Sequence, residues 1–179
     1  MRPLVVDLDG TLHSDDLSWL IFKDVLLSNP YRCFKALLLW VTQNKAAMKT
    51  DLALFSNVSV ADLNWHRDVI SYCVLEKTKG RMLVLATGTP QRIAESCNRH
   101  LGYLFDEVIG TDESVNLIGE AKRDHLVKRY RLNGYAYIGN SSQDLPVWST
   151  AAEIGIAYAN GKVKRGAEML NRPIVVRFP

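Results

Sequence analysis

The stretch VVDLDGTL, residues 5–12, decides the fold, because an apolar strand in it ends at two carboxylates. Side chains alternate along a strand, so Asp7 and Asp9 would share one side while Leu8 turns into the core. Two neighbouring carboxylates that lose water repel each other unless a cation lies between them. Mg²⁺ suits this position, since it prefers oxygen ligands and is commonly held by one or two carboxylates. Gly10 allows the chain to turn sharply away, and the Thr11 hydroxyl can close the loop with a hydrogen bond.

Strands and helices alternate in the second half of the chain. Apolar runs predict strands at 82–87, 106–111, 135–140 and 154–159, and a final strand or edge segment at 173–178. The helices predicted between them cover 90–102, 120–132, 144–151 and 162–170. Such alternation implies right-handed crossovers between parallel strands. We therefore predict an α/β fold with a doubly wound parallel sheet and helices on both faces.

A long helical insertion follows the first strand. Apolar residues recur at helical spacing in blocks near 16–28, 31–43, 46–56 and 61–77, and no stretch in this region favours a strand. Ser59 is a candidate N-cap for the last of these blocks. The predicted organisation is a core formed by residues 1–14 and 78–179, with residues 15–77 inserted between its two parts.

The composition restricts the class of protein. The 179 residues are 47% hydrophobic and carry a formal net charge of +3, an excess too small to indicate nucleic-acid binding. The scattered cysteines Cys33, Cys73 and Cys97 indicate reduced, buried thiols in a cytoplasmic protein. A signal peptide is not expected, because the apolar run at 4–6 stops at an aspartate. Residues 19–41 are unusually apolar but contain too many polar residues for a membrane span.

Polar side chains collect where the predicted strands end, which is the edge of a parallel sheet that binds ligands. Taken singly, two aspartates can simply cap a loop, and a lysine on a helix is usually solvated. The prediction of a site therefore depends on the whole set of carboxylates, hydroxyl, ammonium and amide. Its members are Asp7, Asp9, Thr87, Gly88, Lys122, Asn140 and Asp144.

The segments DLDGT, LATGTP, Lys122 and GNSSQD resemble, in order and spacing, the four motifs of the haloacid dehalogenase-like (HAD) superfamily of phosphohydrolases. In that superfamily the insertion 15–77 would be the helical cap placed after the first motif. A closer resemblance lies in VDLDGTL, LVLATGTPQRIA, NLIGEAK and YIGNSSQDLPVW. These segments look like the HAD domains that are fused to, or encoded with, UbiA-type membrane prenyltransferases.

The resemblance implies a role for each motif. Asp7 would be the nucleophile that forms an aspartyl-phosphate, and Asp9 the general acid and then the base. Thr87 and adjacent backbone N–H groups would hold phosphoryl oxygens, and Lys122 would neutralise charge. The phosphate-binding set predicted in this way is Gly10, Thr11, Gly88 and Lys122. Mg²⁺ would be held by Asp7, by the backbone carbonyl of Asp9, and by Asn140 and Asp144 of the fourth motif.

One residue departs from the family pattern, which usually has an aspartate where Asn140 stands. Asparagine keeps an oxygen ligand but removes a charge, so Mg²⁺ should bind less tightly unless Asp144 contributes directly. Three readings remain. The first is a Mg²⁺-dependent phosphatase acting on a phosphomonoester, which could be prenyl- or sugar-linked. The second is a phosphotransferase or mutase with the same intermediate. The third is a non-catalytic partner of a membrane prenyltransferase.

The apolar stripe that includes Trp19, Phe22, Phe34 and Trp40 has two interpretations. A pair of cap helices must bury one face, so the stripe is expected to form mainly the core of the cap. The alternative is a surface that meets a membrane or a prenyl chain. We therefore predict a cytoplasmic protein that acts on a small-molecule phosphate ester, with the inner face of a membrane as a second possible location.

Overall fold

A six-stranded parallel sheet forms the centre of the molecule. The computed structural model describes residues 1–31, 33 and 45–179. The strands are β1 (Leu4–Val6), β2 (Leu83–Pro90), β3 (Glu107–Thr111), β4 (Ala136–Gly139), β5 (Glu153–Ile156) and β6 (Ile174–Arg177). They lie in the order β3-β2-β1-β4-β5-β6, and every neighbouring pair is parallel. The order reverses beside β1, which is where ligands bind in open sheets of this kind.

Helices in the described residues cover both faces of the sheet. They are α1 (Leu17–Ser28), α2 (Lys45–Phe55), α3 (Arg67–Thr78), α4 (Gln91–His100), α5 (Gly119–Tyr130), α6 (Leu145–Trp148) and α7 (Gly161–Met169). Buried residues of α1 to α4 pack in one cluster with Leu4 and Val6. Those of α5 to α7 pack in a second cluster with Val5. The alternation of β1 side chains thus divides the core between two faces, and the predicted doubly wound α/β fold is confirmed.

The insertion differs from its prediction at one helix. The block expected at 61–77 begins as a short 3₁₀ turn, Val60–Asp62, and α3 starts only at Arg67. Ser59 precedes the turn and makes no side-chain cap, so its predicted role at α3 is wrong. The helix starts late because the residues between the 3₁₀ turn and α3 pair with the loop after β1. Ser14 N donates to Asn64 O at 3.1 Å and His66 N to Leu12 O at 2.8 Å, which holds this segment extended.

Other boundaries shift by a few residues. The second strand continues to Pro90 rather than ending at Thr87, since Pro90 pairs with Thr111 after a shift of register. Pro90 therefore caps α4 instead of opening it. The block predicted at 31–43 lies outside the described residues except at its first and third positions. The division of the chain into a core and residues 15–77 stays a prediction.

The cysteines agree with the sequence-based expectation, whereas the apolar stretch 19–41 lies partly outside the described residues. Cys33, Cys73 and Cys97 are free and buried. Burial raises the pKa of Cys73 and of Cys97 to about 12, so both thiols stay protonated and unreactive at neutral pH. None of the helices in the described part of the chain has the length and apolar character needed to cross a bilayer.

A buried ion pair joins the end of α3 to the sheet. Arg81 donates to Glu76 Oε2 at 2.7 Å, to Glu153 Oε2 at 3.3 Å and to the Arg2 carbonyl at 2.9 Å. Both Arg81 and Glu76 are buried. Burial disfavours the charge of Glu76, but hydrogen bonds from Lys79 and Arg81 outweigh this and lower its pKa. Arg81 therefore links the end of α3 to the N-terminal segment and to β5.

Arg81→Ala is expected to lower the free energy of unfolding by about 2 kcal/mol, because the buried Glu76 carboxylate then keeps only the half-exposed Lys79 as a charged partner. Urea unfolding at neutral pH measures this loss. The loss should shrink in acid, since a carboxyl with a lowered pKa contributes stability that disappears as pH falls through that pKa. Arg123→Ala is the control, because Arg123 forms its ion pairs at the surface and its removal should change the free energy of unfolding far less. Equal losses in the two variants would contradict the prediction.

Candidate active site

A cavity of about 320 Å³ lies at the carboxyl end of β1, between the ends of the neighbouring strands. Five of the residues expected at this edge line it together: Asp7, Asp9, Lys122, Asn140 and Asp144. Gly88 also lines it, from the end of β2. The chain thus brings residues that are more than a hundred positions apart to a single cavity, at the place where sheets of this kind bind ligands.

The loop after β1 has the shape that the sequence suggested. Leu8 is fully buried, while Asp7 and Asp9 face the cavity. Gly10 has a φ of +74°, and a Cβ added there would lie 2.0 Å from Asn140 Nδ2. Only glycine meets both requirements, because other residues avoid this φ and carry a Cβ. Thr11 Oγ1 lies 3.3 Å from Asp7 Oδ2 and 3.4 Å from Asn140 Oδ1, so it ties the first loop to the loop after β4.

Asp7 forms a buried ion pair with Lys122. Lys122 Nζ donates to Asp7 Oδ1 at 2.6 Å, and both side chains are almost fully buried. Burial raises the pKa of Asp7 to about 7, although Lys122 opposes the shift. Burial alone would lower the pKa of Lys122, but the carboxylates of Asp7 and Asp144 outweigh it and raise that pKa. Lys122 therefore carries a positive charge throughout the neutral range.

Asp144 holds the loop that follows β4. Its Oδ2 accepts hydrogen bonds from the backbone N–H of Asn140 at 3.0 Å and of Ser141 at 2.9 Å, and from Ser141 Oγ at 3.0 Å. Its Oδ1 accepts one from the Tyr137 hydroxyl at 2.7 Å. Asp144 thereby positions the loop that presents Asn140. Its predicted role as a ligand of Mg²⁺ stays a prediction.

Tyr137 and Thr89 belong to the site although the sequence did not single them out. The Tyr137 hydroxyl accepts from Lys122 Nζ at 3.0 Å while it donates to Asp144. Burial raises the pKa of Tyr137 well above its usual value, so the phenol keeps its proton. The available signals were a tyrosine in an otherwise apolar strand, and a second threonine two positions after Thr87, which alternation places on the same side.

Asp9 is oriented by donors from two elements. Leu17 N, at the first residue of α1, donates to Oδ1 at 3.0 Å, and Thr89 Oγ1 contacts Oδ2 at 2.6 Å. A threonine hydroxyl can donate to a carboxylate or accept from a carboxylic acid. The Thr89 contact can therefore persist when Asp9 gains or loses a proton. The Asp9 side chain keeps 30% of its surface exposed, which leaves it open to the cavity.

Thr87 and Gly88 occupy different positions relative to the cavity. Thr87 is fully buried; its Oγ1 accepts from Thr89 N at 3.0 Å and lies 3.5 Å from Asp9 Oδ2. Thr87 therefore helps to position the Asp9 side chain. Its predicted contact with phosphoryl oxygens stays a prediction. Gly88 lies at the cavity wall, where an added Cβ would come within 2.4 Å of Ile118 Cγ2.

The inserted helices also reach the cavity. Asp16, Ser18 and Lys49 line it, and all three belong to the region 15–77. Lys49 Nζ donates to the Gly88 carbonyl and to Asn116 Oδ1, both at 3.3 Å. Sequence reasoning missed Lys49, because nothing in its local pattern distinguishes it from a solvated helix lysine. Its contacts lie 39 and 67 residues away along the chain.

His13 is a buried neighbour of Asp9. Its Nε2 lies 3.8 Å from Asp9 Oδ1, and its ring meets Trp65 edge-on at 5.4 Å. Burial lowers the pKa of His13, although the carboxylates of Asp9 and Asp15 oppose the shift. Among the described residues neither ring nitrogen has a hydrogen-bond partner. The ring is therefore neutral at neutral pH and packs as part of the core.

The oxygen atoms at the cavity fit a hard cation with few protein ligands. Asp7 Oδ2 and Asn140 Oδ1 both lie within 3.4 Å of Thr11 Oγ1, so a carboxylate and an amide oxygen converge. The described residues contain no cluster of three or more His, Cys, Asp or Glu side chains arranged to hold a metal. A carboxylate and an amide oxygen suit Mg²⁺, which keeps several waters or substrate oxygens.

A sequence model of the haloacid dehalogenase-like hydrolases matches residues 4–149, which include every motif of the cavity. The chain belongs to this family. The resemblance to HAD-like hydrolases is thereby confirmed. This member of the family has a parallel sheet with polar residues gathered at the carboxyl ends of its strands.

Three known proteins are similar to this chain. One is the uncharacterized protein y4nM of Sinorhizobium fredii, which is 30% identical over 98% of this chain and 33% of its own length. The chain thus spans about a third of that relative. A protein of unknown function from Bordetella pertussis Tohama I has a TM-score of 0.70 at 17% identity, over 97% of each chain. A phospho-aspartyl intermediate analogue of phosphoserine phosphatase has a TM-score of 0.64 at 12% identity, over 99% and 92%.

Proposed function

We propose that this hydrolase is a Mg²⁺-dependent phosphatase that cleaves a phosphomonoester through an aspartyl-phosphate on Asp7. The observation that carries the proposal is the ion pair at the cavity wall. One oxygen of Asp7 is held by Lys122 at 2.6 Å, while the other lies beside Asn140 and Thr11 at the cavity. A carboxylate fixed through one oxygen presents the second as an oriented nucleophile. Asp9, open to the same cavity, supplies the acid and base.

In the first step, the Asp7 carboxylate attacks phosphorus and forms a P–O bond, while the bond from phosphorus to the leaving oxygen breaks. Asp9 donates its proton to that oxygen, so the product leaves as a neutral alcohol. Lys122 stabilises the charge that builds up around Asp7 and the phosphoryl group, in a site that excludes most water. The Thr89 hydroxyl keeps Asp9 in place in both of its protonation states.

In the second step, Asp9 acts as a base and removes a proton from a water molecule. That water attacks phosphorus, the bond from phosphorus to Asp7 breaks, and inorganic phosphate is released. Asp9 gives up a proton in the first step and takes one from water in the second, so it ends the cycle protonated. Mg²⁺ held by Asp7, the Asp9 carbonyl and Asn140 would neutralise charge on the phosphoryl oxygens.

The cap in this proposal is the insertion 15–77, which closes over the cavity and excludes water. Lys49 and Asp16 support it, because both reach the cavity from that region. A prenyl- or sugar-linked phosphate, a membrane prenyltransferase partner, and a cytoplasmic position at the inner face of a membrane follow from the closer resemblance alone. They stay predictions.

The direct test measures release of inorganic phosphate from a panel of phosphomonoesters, with Mg²⁺ and with EDTA. The proposal expects release that depends on Mg²⁺ and does not require an added alcohol. Transfer only to a second alcohol would identify a phosphotransferase or mutase instead. The absence of either product with every ester would favour a non-catalytic role.

Asn140→Asp is expected to lower the Mg²⁺ concentration for half-maximal activity by roughly tenfold, because it adds a charged oxygen ligand at an unchanged position. Calorimetric titration of the protein with Mg²⁺ measures the affinity for the metal independently, without substrate. Gln143→Glu is the matched control, since it adds one negative charge to the same loop and also lines the cavity. An equal gain in both variants would show a general charge effect and would contradict the assignment of Asn140 as a ligand.

A further inference from the structure

A second cavity, of about 300 Å³, lies under the inserted helices. Its wall is mainly apolar, with aromatic and aliphatic side chains from α1, from α2 and from the end of β2. They are Trp19, Ile21, Phe22, Met48, Leu52 and Pro90. The Trp19 and Phe22 rings are stacked, 5.8 Å apart at an angle of 26°. A cavity of this size and lining is typical of a site for the apolar part of a small molecule.

The apolar cavity adjoins the active site. Asp16, Ser18 and Lys49 line both cavities, so these three residues form the boundary between them. Their charged groups are already engaged at that boundary. Asp16 Oδ1 accepts from Trp19 N at 3.1 Å, as the N-cap of α1. Lys49 Nζ donates to Gly88 and Asn116. A polar leaving group at this boundary would therefore have to displace hydrogen bonds that Asp16 and Lys49 already make within the protein.

The position of the general acid gives the direction in which a leaving group extends. The leaving oxygen must lie beside Asp9, since Asp9 supplies its proton. Asp9 Oδ1 is hydrogen-bonded to Leu17 N, the first residue of α1. Trp19, Ile21 and Phe22 lie within the next turns of the same helix and face the apolar cavity. A group that starts at Asp9 and follows α1 enters that cavity.

We propose that the apolar cavity receives the leaving group of the substrate, which is an alkyl or aryl alcohol rather than a sugar or an amino acid. This inference rests on the proposed phosphatase function and names its substrate class. Each methylene buried in such a cavity contributes to binding in proportion to the area that it removes from water. The phosphoryl group would bind at Asp7 and Lys122, and the apolar group between α1 and α2.

Binding is tested first without turnover, with n-alkylphosphonates from methyl to octyl, which have no ester bond to cleave. Calorimetry in the presence of Mg²⁺, below micelle-forming concentrations, gives each affinity. We expect roughly threefold tighter binding per added methylene until the cavity is full. The ratio kcat/KM for the matching alkyl phosphates should rise with the same slope, and O-phosphoserine should be at least tenfold poorer than octyl phosphate.

Variants of the wall localise the effect. Met48→Trp fills the cavity and should remove the dependence on chain length while methylphosphonate binding stays unchanged. Trp19→Ala is a second variant; Trp19 is 59% exposed, so its loss should not prevent folding. It should weaken octylphosphonate binding about fivefold. Leu27→Trp is the control, because Leu27 lies on α1 outside the cavity and is 76% exposed.

The outcomes separate this inference from the function on which it rests. Affinity that does not depend on chain length, or a preference for O-phosphoserine, overturns the apolar subsite even if the protein is an active phosphatase. Chain-length-dependent binding that Met48→Trp removes supports the subsite, even if no ester is hydrolysed and the phosphatase function fails. Failure of every phosphonate to bind overturns the subsite.

Discussion

Asp7→Asn is expected to lower kcat by roughly 10⁴-fold or more, because an amide cannot form the covalent phosphoenzyme. The change keeps the size of the side chain and removes its negative charge, which burial already makes costly. Phosphate release at saturating Mg²⁺ and substrate measures the loss, and thermal unfolding checks that the fold is retained.

Asp124→Asn is the matched control for that variant. Asp124 is an exposed carboxylate on α5, the helix that also carries Lys122, and its partner is Arg123. It should retain the activity of the parent within twofold, on the order expected for a surface change. If Asp7→Asn retained a large share of the activity, the attack on phosphorus would have to come from another group.

Lys122→Met is expected to lower kcat by roughly 10² to 10³-fold, as for other losses of one group that stabilises charge in a dry site. The methionine keeps the apolar stem and removes the ammonium that contacts Asp7 and Tyr137. Lys128→Met is the control, because Lys128 is exposed on the same helix and lies outside the cavity. Similar losses in the two variants would contradict a role for the Lys122 charge.

In the metal-free protein, Lys122→Met should also lower the free energy of unfolding, by an amount that depends on pH. Burial raises the pKa of Asp7 to about 7, so at about pH 5 it is protonated with or without Lys122. At about pH 8 the parent has an ion pair, whereas the variant buries a lone carboxylate or must protonate it. The loss in unfolding free energy should therefore be about 3 kcal/mol at the higher pH and smaller at the lower one. Chemical unfolding at the two pH values measures it, and a loss that grew in acid would contradict the assignment.

The strand ends could be predicted from the sequence because each one is marked by neighbouring residues in the chain. An apolar run that stops at polar residues locates the end of a parallel strand, and all such ends share one edge of the sheet. This rule alone located Asp7, Asp9 and Asn140 at the cavity, whereas Lys122 reaches it from the first turn of α5. The turn at Gly10 was local too, since its φ of +74° is one that glycine adopts readily.

Residues that act through tertiary contacts were not accessible in this way. The orientation of Asp144 depends on Tyr137, which packs beneath it and links it to Lys122. Lys49 depends on the placement of α2 against the ends of β2 and β3. Neither relation has a periodic signal in the chain.

The start of α3 shows the same limit for secondary structure. Apolar periodicity alone favoured a helix from residue 61, but Trp65 pairs with His13 in an antiparallel bridge. The extended segment also supplies the hydrogen bond from His66 N to Leu12 O, directly behind the first motif. Tertiary pairing at the site thus overrides local helix propensity.

The central claim, a covalent phosphoenzyme on Asp7, is tested most directly by chemical trapping during turnover. Borohydride reduces an aspartyl-phosphate to homoserine, which peptide mass spectrometry locates in the chain. The account predicts homoserine at residue 7 in enzyme quenched with substrate and Mg²⁺, and unmodified aspartate when substrate is omitted. Continued release of phosphate with no reduction at residue 7, or with reduction at a different carboxylate, would contradict it.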